Sequence, residues 1–161
     1  MSTAFPIDPT LDLSFERIVD VPAQRLYEGW TVPSLIVQWF TPAPWVTTEA
    51  EVDARPGGIF RTVMQGPNGE RNEGSGCVLE AVPGRRFVWT GALSRGFRPQ
   101  AAPAGAFLFT AILEFDEVDG GTRYRATARH TSAADAQRHA SMGFEPGWNA
   151  ALDQLLALLC R

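Results

Sequence analysis

The chain contains no lysine, and all 14 of its basic residues are arginine. Because lysine is absent, chemistry that proceeds through a Schiff base on a lysine amine is excluded. The formal net charge is −4, so the chain lacks the basic excess that typically marks proteins that bind nucleic acid or an anionic membrane. We therefore expect neither nucleic acid nor a membrane as a partner.

Cysteine and histidine are scarce, with two of each. Two cysteines, Cys77 and Cys160, make no disulfide framework, and we expect two buried free thiols. His130 and His139 lie on different predicted elements, and no Cys/His pair has ligand spacing, so we predict neither a metal nor a cofactor. The longest apolar run, residues 155–160, is too short to span a bilayer, and no signal peptide is visible. These absences predict a cytoplasmic protein.

What the chain does contain is a strand-rich middle framed by helices. A first strand is followed by two short helices, the first with Leu26 and Trp30 on one face and the second carrying Leu35, Ile36, Trp39 and Phe40. Tight Gly-containing turns then connect strand patterns and indicate an antiparallel meander. Gly74 and Gly76 are candidate positions for a β-bulge. The predicted strands are 13–20, 46–53, 59–65, 73–82, 86–90, 107–118 and 122–131.

The end of the chain is helical. After a break at Gly143, Trp148, Leu152, Leu155, Leu156 and Leu159 form one helical stripe. Six or seven antiparallel strands and one long C-terminal helix predict an α+β fold in a single domain, 1–161, with its core in 13–160. A straight helix cannot fill the concave side of a twisted sheet, so this fold predicts an internal cavity.

Several motifs resemble one family in their order and spacing along nearly the whole chain. The motifs are Gln38-Trp39-Phe40-Thr41-Pro42, the stretch 53–61 around Pro56-Gly57-Gly58, Gly66-Pro67-Asn68-Gly69, Gly120-Gly121-Thr122-Arg123, and Gly147-Trp148 with Leu152 and Leu155. In these motifs the chain is similar to the activator of Hsp90 ATPase homologue-like family, within the START/polyketide-cyclase (SRPBCC) superfamily. The resemblance implies a helix-grip (START/Bet v-like) fold with a deep apolar cavity.

The aromatic residues are the positive functional signal, since small-molecule pockets are mainly apolar with a few placed polar groups. They either line a ligand cavity or simply fill the core. We expect the 94–106 loop to form a lid over this cavity. The predicted ligand-binding residues are Trp39, Phe40, Trp45, Phe60, Met64, Trp89, Phe109, His130, Trp148, Leu152 and Leu156.

His130 is the sharpest polar candidate. On its strand it shares a face with Tyr124, Ala126 and Ala128, which aims it at the rim of the cavity as a ligand contact or a weak candidate for an acid or base. The alternative is a strand-end histidine that the backbone or water satisfies. The arginines of the opposite face are expected to pair with Glu114 or Asp116 on the neighbouring strand. Arg61 and Glu73 form a second possible pair, whose face the alternation leaves open.

The leading functional hypothesis is a protein that binds or carries a small hydrophobic, aromatic or lipid-like ligand, without catalysis, because no nucleophile or metal constellation is present. The alternative is a cyclase or dehydratase type of enzyme acting on an aromatic or polyketide-like substrate through His130. A third hypothesis is an interaction module that associates with the chaperone Hsp90. A homodimer is compatible with the exposed edge of the sheet.

Overall fold

A computed structural model describes residues 5–160. Residues 1–4 and Arg161, which the predicted domain bounds include, lie outside the described residues. The predicted α+β fold with a curved antiparallel sheet is confirmed, and the sheet has seven strands. A separate two-stranded ribbon, β6 and β7, interrupts the first part of the predicted 94–106 loop. The strands are β1 (Asp12–Val19), β2 (Val46–Val52), β3 (Ile59–Gln65), β4 (Arg71–Val82), β5 (Arg86–Thr90), β6 (Leu93–Ser94), β7 (Arg98–Pro99), β8 (Phe109–Val118) and β9 (Gly121–His130).

The sheet order is β1-β9-β8-β5-β4-β3-β2, which is the predicted meander with the first strand added beside the last. The predicted bulge at Gly74 or Gly76 is wrong, because β3 and β4 pair in continuous register past both glycines. The register instead shifts between Val78 and Glu80, and between Thr47 and Glu49. Gly76 has a different role: a Cβ there would lie 2.3 Å from the carbonyl oxygen of Thr90, so only glycine permits this close approach.

Within the described part of the chain, four helices complete the fold: α1 (Ala23–Thr31), α2 (Pro33–Trp39), α3 (Ala133–Ser141) and α4 (Phe144–Leu159). The Ser132 hydroxyl caps α3 by accepting a hydrogen bond from the Asp135 backbone N–H. Helix α4 packs on the inner face of the sheet together with α1. Gly29 of α1 lies against the fully buried Leu155 of α4, where a Cβ would approach Leu155 Cδ1 to 2.6 Å.

The inner face of β9 is as the alternation predicts, with Tyr124, Ala126, Ala128 and His130 all buried. The opposite face carries the arginines, but their ion pairs are made with β1 and not, as expected, with β8, whose Glu114 and Asp116 act on Arg125 only as more distant charges. Arg125 Nη2 lies 2.7 Å from Glu16 Oε2, and Arg129 Nε lies 3.5 Å from Asp12 Oδ1, both on β1. The register places these acids directly opposite the arginines on the other neighbour of β9.

The structure tests the prediction for the two cysteines. Both cysteines are free thiols, and Cys77 is buried, but Cys160 is exposed at the end of α4, contrary to the expectation for it. Among residues 5–160, none of the helices combines the length and apolarity that crossing a membrane requires.

Candidate functional site

A cavity of about 810 Å³ lies between the sheet and the N-terminal half of α4. It remains open because the positions that face each other across it carry small residues. Gly74 on β4 and both Gly147 and Ala151 on α4 belong to its lining. A Cβ at Gly74 would meet no atom within 4 Å, and one at Gly147 would meet only Pro42 Cγ, at 3.9 Å. The space is therefore a consequence of missing side chains on two opposed elements.

Most of the predicted ligand-binding residues line this cavity. Phe60 and Trp89 stack on one wall with ring centroids 4.5 Å apart and planes inclined by 16°. The rings of Trp89 and Phe109, on adjacent strands, are 5.5 Å apart and extend this wall. The predicted residues in the lining are Trp39, Phe40, Phe60, Met64, Trp89, Phe109 and Trp148.

Four predicted residues lie outside the lining. Trp45 packs beside the turn at Gly66 instead. Leu152 is fully buried in the core, and Leu156 packs partly buried against the same core. Both leucines follow Trp148 at helical spacing, but they lie on α4 beyond the end of the cavity. The fourth, His130, does not line the cavity, because His139 lies between them.

His139 is the functional candidate that the sequence prediction missed. It lines the cavity from α3 and is only 8% exposed. Its Nδ1 lies 2.8 Å from His130 Nε2, and His130 Nδ1 lies 2.8 Å from the carbonyl oxygen of Leu11. Burial, and then the neighbouring His130, lower the pKa of His139 from 6.5 to about 4, so its imidazole is neutral at pH 7. The only sequence signal was its spacing of three from Ala136, the other buried residue of α3.

Trp30 is the second omission from the predicted lining. Its ring is 2% exposed and contacts Trp39, at a centroid distance of 5.0 Å, and Trp148, at 6.3 Å. Its indole N–H donates a hydrogen bond to the hydroxyl of Tyr124 over 3.0 Å. Burial raises the pKa of the Tyr124 phenol, which keeps it protonated. The sequence placed Trp30 on the apolar face of α1 with Leu26, but it did not show that this face meets the cavity.

The Arg61–Glu73 pair lies on the outer face of the sheet. Arg61 Nε donates a hydrogen bond to Glu73 Oε2 over 2.8 Å, and this bond holds the pKa of the Glu73 carboxyl below its usual value. On β3 the residues that alternate with Arg61, including Phe60 and Met64, face the cavity. Arg61 therefore does not line the cavity, whereas Glu73, which it binds, belongs to the lining.

The loop of residues 94–106 lines one side of the cavity, as expected for a lid. Gln100 pins it to the sheet, because its side-chain amide donates to the carbonyl oxygens of Ser75 and Gly91, each over 2.8 Å. Arg138 of α3 donates to the carbonyl oxygen of Gly105 and lies over the ring of Phe107, 5.4 Å from its centroid. Within residues 5–160, no cluster of His, Cys, Asp or Glu is placed to hold a metal ion.

Comparisons with known proteins agree with this architecture. A solved structure of a Nitrosomonas europaea protein is 42% identical, with 95% of this chain and 96% of that one covered and a TM-score of 0.89. A Mycobacterium smegmatis protein is 28% identical, with coverages of 94% and 91% and a TM-score of 0.76. An activator-like structure from Silicibacter pomeroyi, at 23% identity, coverages of 92% and 97% and a TM-score of 0.66, shares the fold.

The comparison with curated proteins gives no match. The family model described as activator of Hsp90 ATPase homolog 1-like protein matches residues 20–160, which is most of the chain. The motifs that suggested this family in the sequence all lie within the matched residues. The chain belongs to the family of activator of Hsp90 ATPase homolog 1-like proteins.

Proposed function

We propose that this protein binds a small, largely apolar molecule in the cavity between α4 and the sheet. The observation that carries the proposal is the cavity itself, about 810 Å³ in volume and walled by aromatic rings. This volume lies within the range of about 300–1,000 Å³ that is usual for small-molecule sites. Rigid rings supply contact area at a low entropic cost, which favours ligand binding over collapse of the walls.

The expected affinity is modest. Burial of about 300 Å² of apolar ligand surface contributes about 7 kcal/mol at about 25 cal/mol per Å². Association costs several kcal/mol in lost translational and rotational freedom, and this offsets much of the gain. We therefore expect dissociation constants in the micromolar range or weaker for purely apolar ligands, with polar contacts needed for tighter binding.

Blocking the cavity tests the proposal. The neutral fluorophore N-phenyl-1-naphthylamine should bind the wild-type protein saturably, with enhanced emission. Gly74→Leu should weaken this binding at least tenfold, because the new side chain enters the open space in front of Gly74 while leucine suits a strand at least as well as glycine. The matched control is Gln65→Leu, which adds a leucine at an exposed position on the neighbouring strand and should leave binding unchanged.

The outcome of this binding experiment decides whether the cavity is the ligand site. Saturable binding that Gly74→Leu does not weaken would contradict the cavity as the site, and so would the absence of any binding. Native mass spectrometry of freshly purified protein, together with a thermal-shift screen of lipids and aromatic metabolites, would then identify the class of natural ligand.

An enzyme that transfers protons in the cavity is the second candidate, favoured by the position of His139 in the cavity wall with His130 behind it. The pKa of about 4 for His139 weighs against it, since a group this weakly basic is a poor general base at neutral pH. If substrate turnover exists, His139→Gln should abolish it while fluorophore binding persists; equal loss of both would favour simple binding.

The compartment and partners of this function are parts of the same proposal. The buried free thiol of Cys77 is compatible with the reducing cytosol, where we place the protein. The net charge of −4 supports a small molecule rather than nucleic acid as the partner.

A further inference from the structure

The ring of His139 is held in a cage of aromatic side chains at the cavity wall. Its centroid lies 4.8 Å from that of Phe109, and 5.1 Å from those of Phe107 and Phe144. All three of these rings also line the cavity. The Nδ1 atom of His139 is directed away from the cavity, toward His130. The Nε2 atom, on the other side of the ring, has no hydrogen-bond partner among residues 5–160.

The hydrogen-bonded chain behind the ring determines which nitrogen carries the proton. The carbonyl oxygen of Leu11 can only accept, so His130 must donate to it through Nδ1–H. In neutral His130 the Nε2 atom then has a lone pair and accepts, so His139 must donate to it through Nδ1–H. Neutral His139 is left with a lone pair on Nε2. The reverse order would set a lone pair of His130 against the Leu11 oxygen at 2.8 Å.

We propose that His139 Nε2 is a hydrogen-bond acceptor subsite of the cavity, which selects apolar ligands that carry a hydroxyl or N–H donor. The inference rests on the proposed ligand-binding function and specifies its ligand class. The Nε2 atom is accessible, since the buried side-chain atoms without a partner among the described residues are Trp89 Nε1 and Glu114 Oε1. A ligand that covers Nε2 without a donor leaves this lone pair unsatisfied.

The surrounding charges favour a neutral donor over an anion. Among the described residues, the charged side chains of the lining are Arg138 and Glu73. The Arg138 guanidinium already donates to Gly105 and lies over Phe107, and the Glu73 carboxylate accepts from Arg61. A carboxylate or carbonyl oxygen placed at Nε2 would face a lone pair with its own lone pairs. A phenol or an alcohol, by contrast, supplies the missing proton at one end and apolar surface for the aromatic walls at the other.

A pair of ligands of similar size and shape tests the subsite. Dissociation constants of 2-naphthol and 2-methoxynaphthalene are measured by equilibrium dialysis at pH 8, above the ordinary titration range of histidine. The ratio of the two constants in wild type is compared with the ratio in His139→Phe. We expect the substitution to reduce the preference for 2-naphthol about tenfold, which corresponds to about 1.4 kcal/mol. The comparison of ratios cancels the difference in hydrophobicity between the two compounds.

The control variant is Trp89→Phe, which changes the cavity wall away from His139. It should weaken both ligands to a similar degree and preserve the wild-type ratio. If His139→Phe also leaves the ratio unchanged while both compounds bind, the acceptor subsite is wrong and the cavity proposal stands. If neither compound binds the wild-type protein, both proposals are overturned.

A measurement on the wild-type protein keeps the inference testable even if His139→Phe fails to fold. Long-range ¹⁵N–¹H NMR correlations at pH 8 distinguish the two neutral histidine tautomers. We expect the Nδ1–H tautomer for both His130 and His139. An Nε2–H tautomer at His139 would overturn the inference, because the subsite would then be a donor.

Discussion

The environment of His139 predicts that the protein loses stability in mild acid. The pKa of His139 is about 4 in the folded protein, against 6.5 for an ordinary histidine, because the ring is buried and faces His130. The unfolded chain therefore takes up a proton at a higher pH than the folded protein does. The stabilising effect of keeping this ring neutral is fully present above pH 6.5 and is lost as the pH falls from about 6.5 to about 4.

The magnitude follows from the two pKa values. For pKa values of 6.5 and about 4, linkage gives a loss of about 2 kcal/mol in the free energy of unfolding between pH 7.5 and pH 5.0. Screening by solvent at the open side of the cavity reduces this, so we expect about 1 kcal/mol. The lowered pKa values of the Glu16 and Glu73 carboxyls matter at lower pH, because their ordinary value is 4.5.

The assay is urea unfolding at pH 7.5 and pH 5.0, monitored by tryptophan fluorescence, for wild type and His139→Phe. Phenylalanine fits the aromatic surroundings of the ring and cannot titrate. The decrease in stability between the two pH values should be smaller in the variant by about 1 kcal/mol. An equal decrease in both proteins would refute the assignment of a lowered pKa to His139.

Three substitutions probe the packing around the cavity through the free energy of unfolding. Gly29→Ala should destabilise the protein by about 1–2 kcal/mol, because overpacking against Leu155 exceeds the gain in helix propensity; unchanged stability would mean that Leu155 moves freely. Gly147→Ala should stabilise it by about 0.5–1 kcal/mol, since the new methyl group meets only an ordinary contact; a loss would contradict the open space seen there. Tyr124→Phe should cost about 1–3 kcal/mol by leaving the buried Trp30 N–H without its acceptor, and a neutral result would show that this bond contributes little.

Local patterns predicted the elements well where local chemistry decides them. The bounds of β3 and β5 agree with the prediction, because turn residues on both sides confine these strands. The alternation on β9 also placed Tyr124, Ala126 and Ala128 on the inner face. The bulge was misplaced, since a glycine in a strand can serve either a bulge or a close approach of another backbone, and at Gly76 it serves the second.

The candidate site was predicted less completely than the fold. Apolar spacing marked Trp148 and Leu152 alike as one stripe of α4, but only the first lines the cavity. Which half of the helix faces open space depends on Gly74, which precedes α4 by some 70 positions in the chain. The importance of His130 was inferred from its face of β9, whereas the residue that reaches the cavity is His139 on the polar helix α3.

The sequence by itself determined the order of strands and helices, the inward alternation of apolar residues and the exclusion of lysine chemistry. These properties depend on neighbours along the chain and on the period of each element. The tertiary structure alone decided where the cavity lies and which nitrogen of His139 bonds to His130. The hydrogen-bonded chain that orients this ring begins at Leu11, 119 positions from His130, and no local pattern encodes a contact over that distance.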